Sequence, residues 1–539
     1  MIRHCPGPST ASRLICKSFS MNPVVRNKAG LSLLLLLIGI CFFIFWDFGL
    51  SWDESAQRDL GEVTYNYIFH SCNKYEEYHD RDYGVAFEFP LIVLEKTLKL
   101  KDTRTVYLLR HVITHLFFLL AAFYFYLLVK LLFDNEWLAI LGFLLLVLHP
   151  RIYGHSFFNT KDIPFLSMMI ISFYYGALAF RNKDIRNTVL FGIATGVTIN
   201  IRIMGILLFA VVVLIYSIDF IFHLKNGRRR EVLLGAVFCL CTISTLLITW
   251  PYLWKDPLQN FIQAFINMSH FRWEGVVLYI GHMIKATETP WHYPLVWLLI
   301  TTPMVFLFII LVGTYILARD CFKNPLAFFF HDWQKRLLFL CTACSYGSLT
   351  AVIILHSVLY DGWRQLFFIY PGLLIIGLYG IHRLVKRYEM SKQLTFPILI
   401  ILVTLSSVPS MILIHPFQHV FFNDLVPKKE QYLRETFEMD YWGTSYMTAL
   451  KTILSNDARS SISIAVANYP GVLNSLILPT EQRKRIRYVE ELESADYFIS
   501  NYRFHPQDYE YRNVSSRHEW HSIEIYNSKI ISIFKLKKR

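Results

Sequence analysis

Two carboxylates stand side by side at Asp53 and Glu54, in the run Trp52–Asp53–Glu54–Ser55, just past the first long apolar stretch. Acids at a membrane boundary are awkward to desolvate without a reason. A solvated loop start is the plain account of them. The stretch SWDESAQRDLGEVTYNYIF, however, has the pattern of an amphipathic helix that would hold the acids against a membrane surface. A carboxylate held there can take a proton from an attacking hydroxyl. A second group, HPRIYGHSFFNTKDIPF, gathers Arg151, His155, Lys161 and Asp162 in what reads as a loop at the mouth of a helix bundle. Pro164 sits near the start of the next helix, where its missing N–H does no harm. Arg202, in TINIRIMG, lies near the end of an apolar run. It either snorkels to the surface or faces a polar cavity and binds an anion, and the balance falls to the second. Arg364, in Tyr360–Asp361–Gly362–Trp363–Arg364, and Lys255, in WPYLWKDP, add cations set among aromatic residues. Arginine pairs well with phosphate oxygens, and lysine supplies a point charge. The rings suit the apolar face of a sugar, and equally an aromatic belt at a lipid interface. Together these residue types fit a phosphate leaving group and a carboxylate base.

The elements that must position them are membrane spans. The chain has 539 residues, 54% of them hydrophobic and only 17% charged. Soluble domains carry about 25% charged residues. Apolar runs at about 30–49, 111–131, 136–149, 163–180, 188–205, 206–224, 231–249, 293–317, 337–357, 366–385 and 395–414 predict about eleven spans. Alternate loops carry Arg181, Lys183 and Arg186; Lys225, Arg228, Arg229 and Arg230; Arg319, Lys323, Lys335 and Arg336; and Arg383, Lys386, Arg387 and Lys392. By the positive-inside rule these loops and the basic N-terminus are cytoplasmic, and an odd span count puts the C-terminus outside. The net charge of +13 is thereby a matter of topology, and no nucleic-acid partner is expected. Leu31–Leu50 is too long an apolar core for a cleaved signal peptide. Nine cysteines, almost all in spans or on the cytoplasmic side, give no disulfide framework. Sequons occur at Asn267 and Asn513.

The expected fold class is mainly α: a polytopic transmembrane helix bundle, N-in and C-out, with a small C-terminal α/β extracytoplasmic domain. Its parts are a cytoplasmic N-terminal tail (1–29), a transmembrane domain with outer loops (30–414) and a soluble domain (415–539). In the last, SISIAVA and ADYFISNYR read as strands, DYWGTSYMTALKTIL as a helix, and HSIEIYNSKIISIFKL as a hairpin turning at Asn527–Ser528.

In order along the chain, WDES, NTKD, the run WPYLW…WEG…LY…PWHYP…TTP, YDGWR, and HPFQHVFFN…DYWGTSY resemble the GT-C membrane glycosyltransferases of family 39, the protein O-mannosyltransferases and bacterial aminoarabinose transferases. The resemblance implies a sugar donor carried on polyprenyl or dolichyl phosphate, and transfer on the outer side with inversion. It implies Asp53 as catalytic base with Glu54 assisting, and it sets Asp162 at a further acidic position. Topology adds Arg202, Arg364, Lys161 and Arg151 as cations for the donor phosphate. The loop at about 250–292 is too short for the β-trefoil insertion of the eukaryotic mannosyltransferases, which argues against a protein acceptor. The aminoarabinose transferases have more spans, so lipid A does not follow as acceptor either. No cofactor is expected; a divalent metal would have His149, His155, Asp162 and Glu54 as its candidate ligands.

The expected partners are the lipid-linked donor, a lipid, glycan or protein acceptor, and membrane lipids. The expected location is a bacterial inner (plasma) membrane, with the site extracytoplasmic. The competing function is a multi-pass transporter or lipid flippase, which would place ionisable groups along a path through the bilayer rather than in one outer cavity. A structural or assembly role is the third reading.

Overall fold

The computed structural model describes residues 27–222, 229–269, 273–511, 514–515 and 518–536. The N-terminal tail up to residue 26, the loop cations Lys225 and Arg228, and Asn513 of the second sequon lie outside the described residues.

Hydrocarbon offers backbone N–H and C=O groups no partners, so the apolar runs close their hydrogen bonds internally as helices. Among the described residues, nine helices are long and apolar enough to cross a membrane. Glu136–Val147 and Pro150–Phe158 form a further pair, bent by 64°, and Ile185–Ile201 is a shorter apolar helix. The chain is an integral, multi-pass membrane protein. Asp102 caps the longest helix, Thr103–Phe133, by accepting from the Thr105 N–H at 3.0 Å. Asp134, in the left-handed region at φ 48°, ends it.

Three details differ from the sequence reading. The HPRIYGH segment is not a loop: Pro150 begins a helix and the His149 side chain caps it, accepting from the Ile152 N–H. The run at 293–317 is two helices, Tyr293–Thr301 and Met304–Cys321, because Pro303 lacks an N–H and forces the residue before it out of helical conformation. The terminal hairpin turns at Tyr526–Asn527, one residue earlier than expected. Both turn residues have positive φ, at 54° and 59°, the primed geometry that matches strand twist.

Two spans make the core of the bundle. Of their most apolar windows, 83% is buried in Asp162–Asn182 and 78% in Arg364–Arg387, against 11% in Lys28–Asp47 and 22% in Lys392–Leu413. The last two are therefore peripheral and face lipid. Both core helices begin with a charged residue, Asp162 and Arg364, at the same end of the bundle. At about 1.5 Å rise per residue, the far end of Asp162–Asn182 is roughly 30 Å away. There Lys183 pairs with Glu231 (3.1 Å), Arg336 with Asp219 (3.0 Å) and Arg383 with Asp320 (2.9 Å), at the helix ends that flank the basic loops.

Met304–Cys321 packs on Arg364–Arg387 at glycine contacts. A Cβ on Gly313 would collide with the Ile376 carbonyl oxygen and the Gly377 Cα. Without a hydrophobic driving force between spans, this close approach is what holds them. Gly313→Leu is expected to lower the thermal midpoint in detergent by several degrees, with loss of monodisperse protein; an unchanged melt would show that the contact is dispensable.

The C-terminal segment carries a five-stranded sheet in the order Ile486–Tyr488, Ile462–Val466, Tyr497–Ser500, Ser528–Lys535, Glu519–Ile525. The first three strands are parallel and the last two form the antiparallel hairpin. Helix Ser445–Asn456 packs on it. The segment is stitched to the first loop: Asn474 accepts from the Leu50 N–H at 2.8 Å and donates to the Leu50 carbonyl at 3.0 Å, and Trp442 accepts from the Trp52 N–H at 3.1 Å. The backbone leading into Asp53 is thus held from above.

Candidate active site

Charged residues from five distant stretches meet where the two core helices begin. Arg364 is the hub. Its Nη1 donates to Asp162 Oδ2 at 3.1 Å, its Nη2 donates to Asp361 Oδ2 at 3.0 Å, and the same Nη2 lies 3.7 Å from Asp53 Oδ2. Its guanidinium stacks over Trp442 (4.5 Å) and Tyr360 (4.9 Å). Asp162 also pairs with Arg202 and accepts from Asn159 Nδ2 at 2.8 Å. Asp361 in turn accepts from Arg503 Nη2 at 2.7 Å. The result is an alternating series: Arg202, Asp162, Arg364, Asp361, Arg503, with Asp53 attached at its middle. Alternation is what makes so many buried ions tolerable.

The position of Asp53 follows from its helix. It is the residue before Glu54–His70, which is anchored through Arg58 to Glu95 at 3.0 Å. Glu95 and Glu88 share the fully buried Arg110 of the Thr103–Phe133 helix. Asp53 keeps 38% of its side chain accessible and opens on a cavity of about 280 Å³. Lys161, Tyr83, Trp52, Asp80, Trp273 and Arg364 also line it. A second cavity of about 280 Å³ adjoins it and shares Tyr83 and Tyr360. That one is apolar, lined by Met204, Leu207, Trp250, Phe265, Val352 and Leu355, with Arg202 among its few charges.

The two cations at the junction differ from the hub. Among the described residues, Arg202 is paired with Asp162 alone, and its buried Nε has no acceptor. Lys161 has its ammonium 3.1 Å from the centroid of the Tyr83 ring and forms no ion pair among the described residues. Burial, and then the charge of Arg202, bring the Lys161 ammonium down to about 7. The charge of an arriving anion would oppose this shift and favour the ammonium.

Not every residue read from the sequence reaches the cavity. Glu54 points the other way: it is buried, accepts from the Ser51 N–H at 2.7 Å and lies 2.9 Å from His111 Nε2. Successive helical residues diverge by about 100°, and here that turn carries Glu54 away from the cavity that Asp53 faces. Arg151 is buried in its helix, donating to the Phe421 carbonyl at 2.9 Å beneath Phe422 and Trp297. Lys255 is exposed and pairs with Glu76 at 2.6 Å. The four candidate metal ligands do not converge: His149 contacts Thr302 (3.3 Å), His155 contacts Tyr441 (3.0 Å), Glu54 contacts His111, and Asp162 binds the two arginines. Among the described residues, no three His, Cys, Asp or Glu side chains are grouped as metal ligands. Several cavity residues were not singled out from sequence, among them Tyr83, Asp80, Asp361, Arg503 and Phe504. Asp361 stood inside the YDGWR motif; Arg503 and Phe504 follow the strand candidate ADYFISNYR and carried no signal of their own. Behind Asp361, burial and then the Asp361 charge hold the Glu438 carboxyl well above the usual carboxylate range.

Comparison with known proteins bears on the helical domain. Residues 104–250 match the family model described as dolichyl-phosphate-mannose-protein mannosyltransferase. The match takes in Lys161, Asp162 and Arg202, but neither Asp53 nor Arg364. Among solved structures, the apo form of ArnT from Cupriavidus metallidurans is 10% identical, with a TM-score of 0.45 over 94% of this chain and 98% of that one. The apo oligosaccharyltransferase of Archaeoglobus fulgidus is 10% identical, with a TM-score of 0.45 over 77% of this chain and 57% of that one. Likeness at this level carries no argument about substrate. A chloroplast NAD(P)H-quinone oxidoreductase chain 4 from Guizotia abyssinica is 26% identical over 206 residues, 35% of this chain, which spans 39% of that protein's length. Residues 104–250 are thus similar to the dolichyl-phosphate-mannose-protein mannosyltransferase family, within a chain that is an integral, multi-pass membrane protein.

Proposed function

We propose that the protein is a glycosyltransferase that moves a sugar from a polyprenyl- or dolichyl-phosphate donor to an acceptor hydroxyl, with inversion, on the extracytoplasmic side. One observation carries this reading: a polar cavity holding Asp53 and Lys161 adjoins an apolar cavity headed by Arg202, and the two share Tyr83 and Tyr360. That is the shape of an amphiphile with a sugar-phosphate head and a long hydrocarbon tail. The match of residues 104–250 to a dolichyl-phosphate-dependent family supports the same donor class.

The steps follow from charge. The tail lies in the apolar cavity and the phosphate between Lys161 and Arg202, whose charges the hub leaves least neutralised. The acceptor oxygen attacks the anomeric carbon while Asp53 takes its proton. The bond from that carbon to the phosphate oxygen breaks, and the electron pair leaves with polyprenyl phosphate. Cations already in place stabilise the developing negative charge, and preorganised charge of this kind often does more for rate than any other feature of a site. Arg364, held by three carboxylates, orients Asp53. A single displacement inverts the anomeric centre. All the cations invoked are side chains, so the proposal needs no metal or other cofactor.

Sidedness rests on the basic loops lying at the opposite end, some 30 Å away. A bacterial inner membrane is the proposed location. The transporter reading gains no support, since the ionisable cluster gathers at one end.

The test uses purified protein in liposomes with a panel of radiolabelled polyprenyl-phosphate sugars. Release of free polyprenyl phosphate is expected with one donor. Movement of intact donor between leaflets, with no bond cleaved, would replace this proposal by the flippase.

Donor binding should also depend on pH. With its pKa near 7, Lys161 is largely neutral above that pH and must take up a proton to meet the phosphodiester. Affinity is therefore expected to fall as pH rises from 7 to 9, by at most about tenfold per unit. Lys161→Arg, always charged, should flatten the profile; a wild-type profile already flat would exclude Lys161 from the phosphate site.

A further inference from the structure

The mouth of the polar cavity carries a feature that the donor does not use. Three aromatic rings from two distant parts of the chain meet there, with Trp52 between the other two. Phe504 is 6.3 Å away at 80° and Tyr469 is 6.3 Å away at 57°, centroid to centroid. Phe504 and Tyr469 are 44% and 49% exposed. They are nonetheless fixed. Arg503 lies over both Trp52 (4.9 Å) and Phe504 (5.2 Å), and Asp361 holds it. Tyr469 meets Ser55 at 3.3 Å. The turn that presents Arg503 and Phe504 begins at Tyr502, which takes φ 58°, a costly conformation for an aromatic residue. Its surroundings impose it: Tyr502 donates to Ser532 at 2.7 Å, its N–H donates to Ser500 at 3.1 Å, and Arg434 stacks on its ring at 4.4 Å.

We propose that this mouth is the acceptor subsite and that it takes a pyranose ring, so that the acceptor is a glycan or glycoside hydroxyl. The inference rests on the glycosyltransferase reading above and adds the acceptor class to it. Rigid, half-exposed aromatic faces beside hydrogen-bonding groups suit a ligand with one apolar face and an equatorial rim of hydroxyls. The rim groups are present: Asp53, Asp80, His79 and Gln57 line the same cavity. An acyl chain would find these charged neighbours unfavourable and the adjoining apolar cavity better. An extended peptide would look for a strand edge to join, and none of the cavity's lining residues lies in a strand. A ring stacked on Trp52 is next to Asp53 by covalent connection, where its hydroxyl can lose its proton.

The experiment measures transfer by the full-length protein in liposomes, from whichever polyprenyl-phosphate sugar it cleaves, to p-nitrophenyl pyranosides and to a serine- and threonine-containing peptide. Glycoside transfer without peptide transfer is expected. Phe504→Ala should raise the acceptor KM about tenfold while the donor KM moves less than twofold, and Phe504→Trp should restore it. Transfer to the peptide with none to glycosides, or an acceptor KM unmoved by Phe504→Ala, overturns the acceptor assignment alone. Failure of the wild type to cleave any donor removes the glycosyltransferase reading itself, and this inference with it.

Discussion

Replacing Arg364 by alanine is expected to abolish turnover and to destabilise the fold at once. The guanidinium is 2% exposed and answers Asp53, Asp162 and Asp361 together. Removing one partner from a buried ionic group costs roughly 3–5 kcal/mol, because the remaining charges lose compensation. Here the low end applies: Arg202 still faces Asp162 and Arg503 still faces Asp361. Asp53 has no such reserve, and without Arg364 nothing else in the ion-pair network orients it. Sugar release should fall by at least about 100-fold, in line with a misplaced catalytic group. Arg364→Lys keeps the charge but loses the planar fork, so one ammonium cannot serve three carboxylates, and it should be nearly as inactive while melting closer to the wild type. Measuring the melt and the release on the same preparation separates the two effects. An alanine variant with wild-type turnover would show that the hub is scaffolding.

Asp53→Asn carries the second large effect, and it should be confined to chemistry. The substitution keeps the shape of the side chain. Asp53 is partly exposed and its contact with Arg364 is long, so the fold should lose less than about 1 kcal/mol. Loss of a general base costs about 10²–10⁴-fold in rate. A fall of that size in kcat, with donor affinity retained and the melting curve unmoved, is the expected result. Donor affinity lost in parallel would mean that Asp53 holds the substrate and does not act on its proton.

Much of this was legible in the sequence, for physical reasons that differ by residue. The spans were legible because a bilayer demands about twenty apolar residues per crossing, whatever the packing. The chemistry of Asp53, Lys161, Arg202 and Arg364 was legible because ionisable groups at the ends of apolar runs are costly and stand out. Pairing was not. That Arg364 would reach both Asp162 and Asp53 depends on two core helices starting at the same height, which periodicity does not encode. Glu54 shows the limit in the other direction: adjacency in sequence suggested a working pair, and helix rotation turned it inward to His111. Arg151 was misplaced for a similar reason. HPRIYGH is polar enough to read as a loop, but Pro150 at the first helical position and the His149 cap start a helix that carries Arg151 into the core. Arg503 reaches the cavity through a left-handed Tyr502, a tertiary demand with no local sequence signal.

The most direct test of the central claim is a cryo-electron microscopy structure with polyprenyl phosphate bound. The account predicts the phosphate within hydrogen-bond distance of Lys161 and Arg202, beside Tyr83 and Tyr360, with the chain running past Met204 and Leu207. A phosphate seated at the opposite end of the bundle, among Lys183, Arg336 and Arg383, would contradict it.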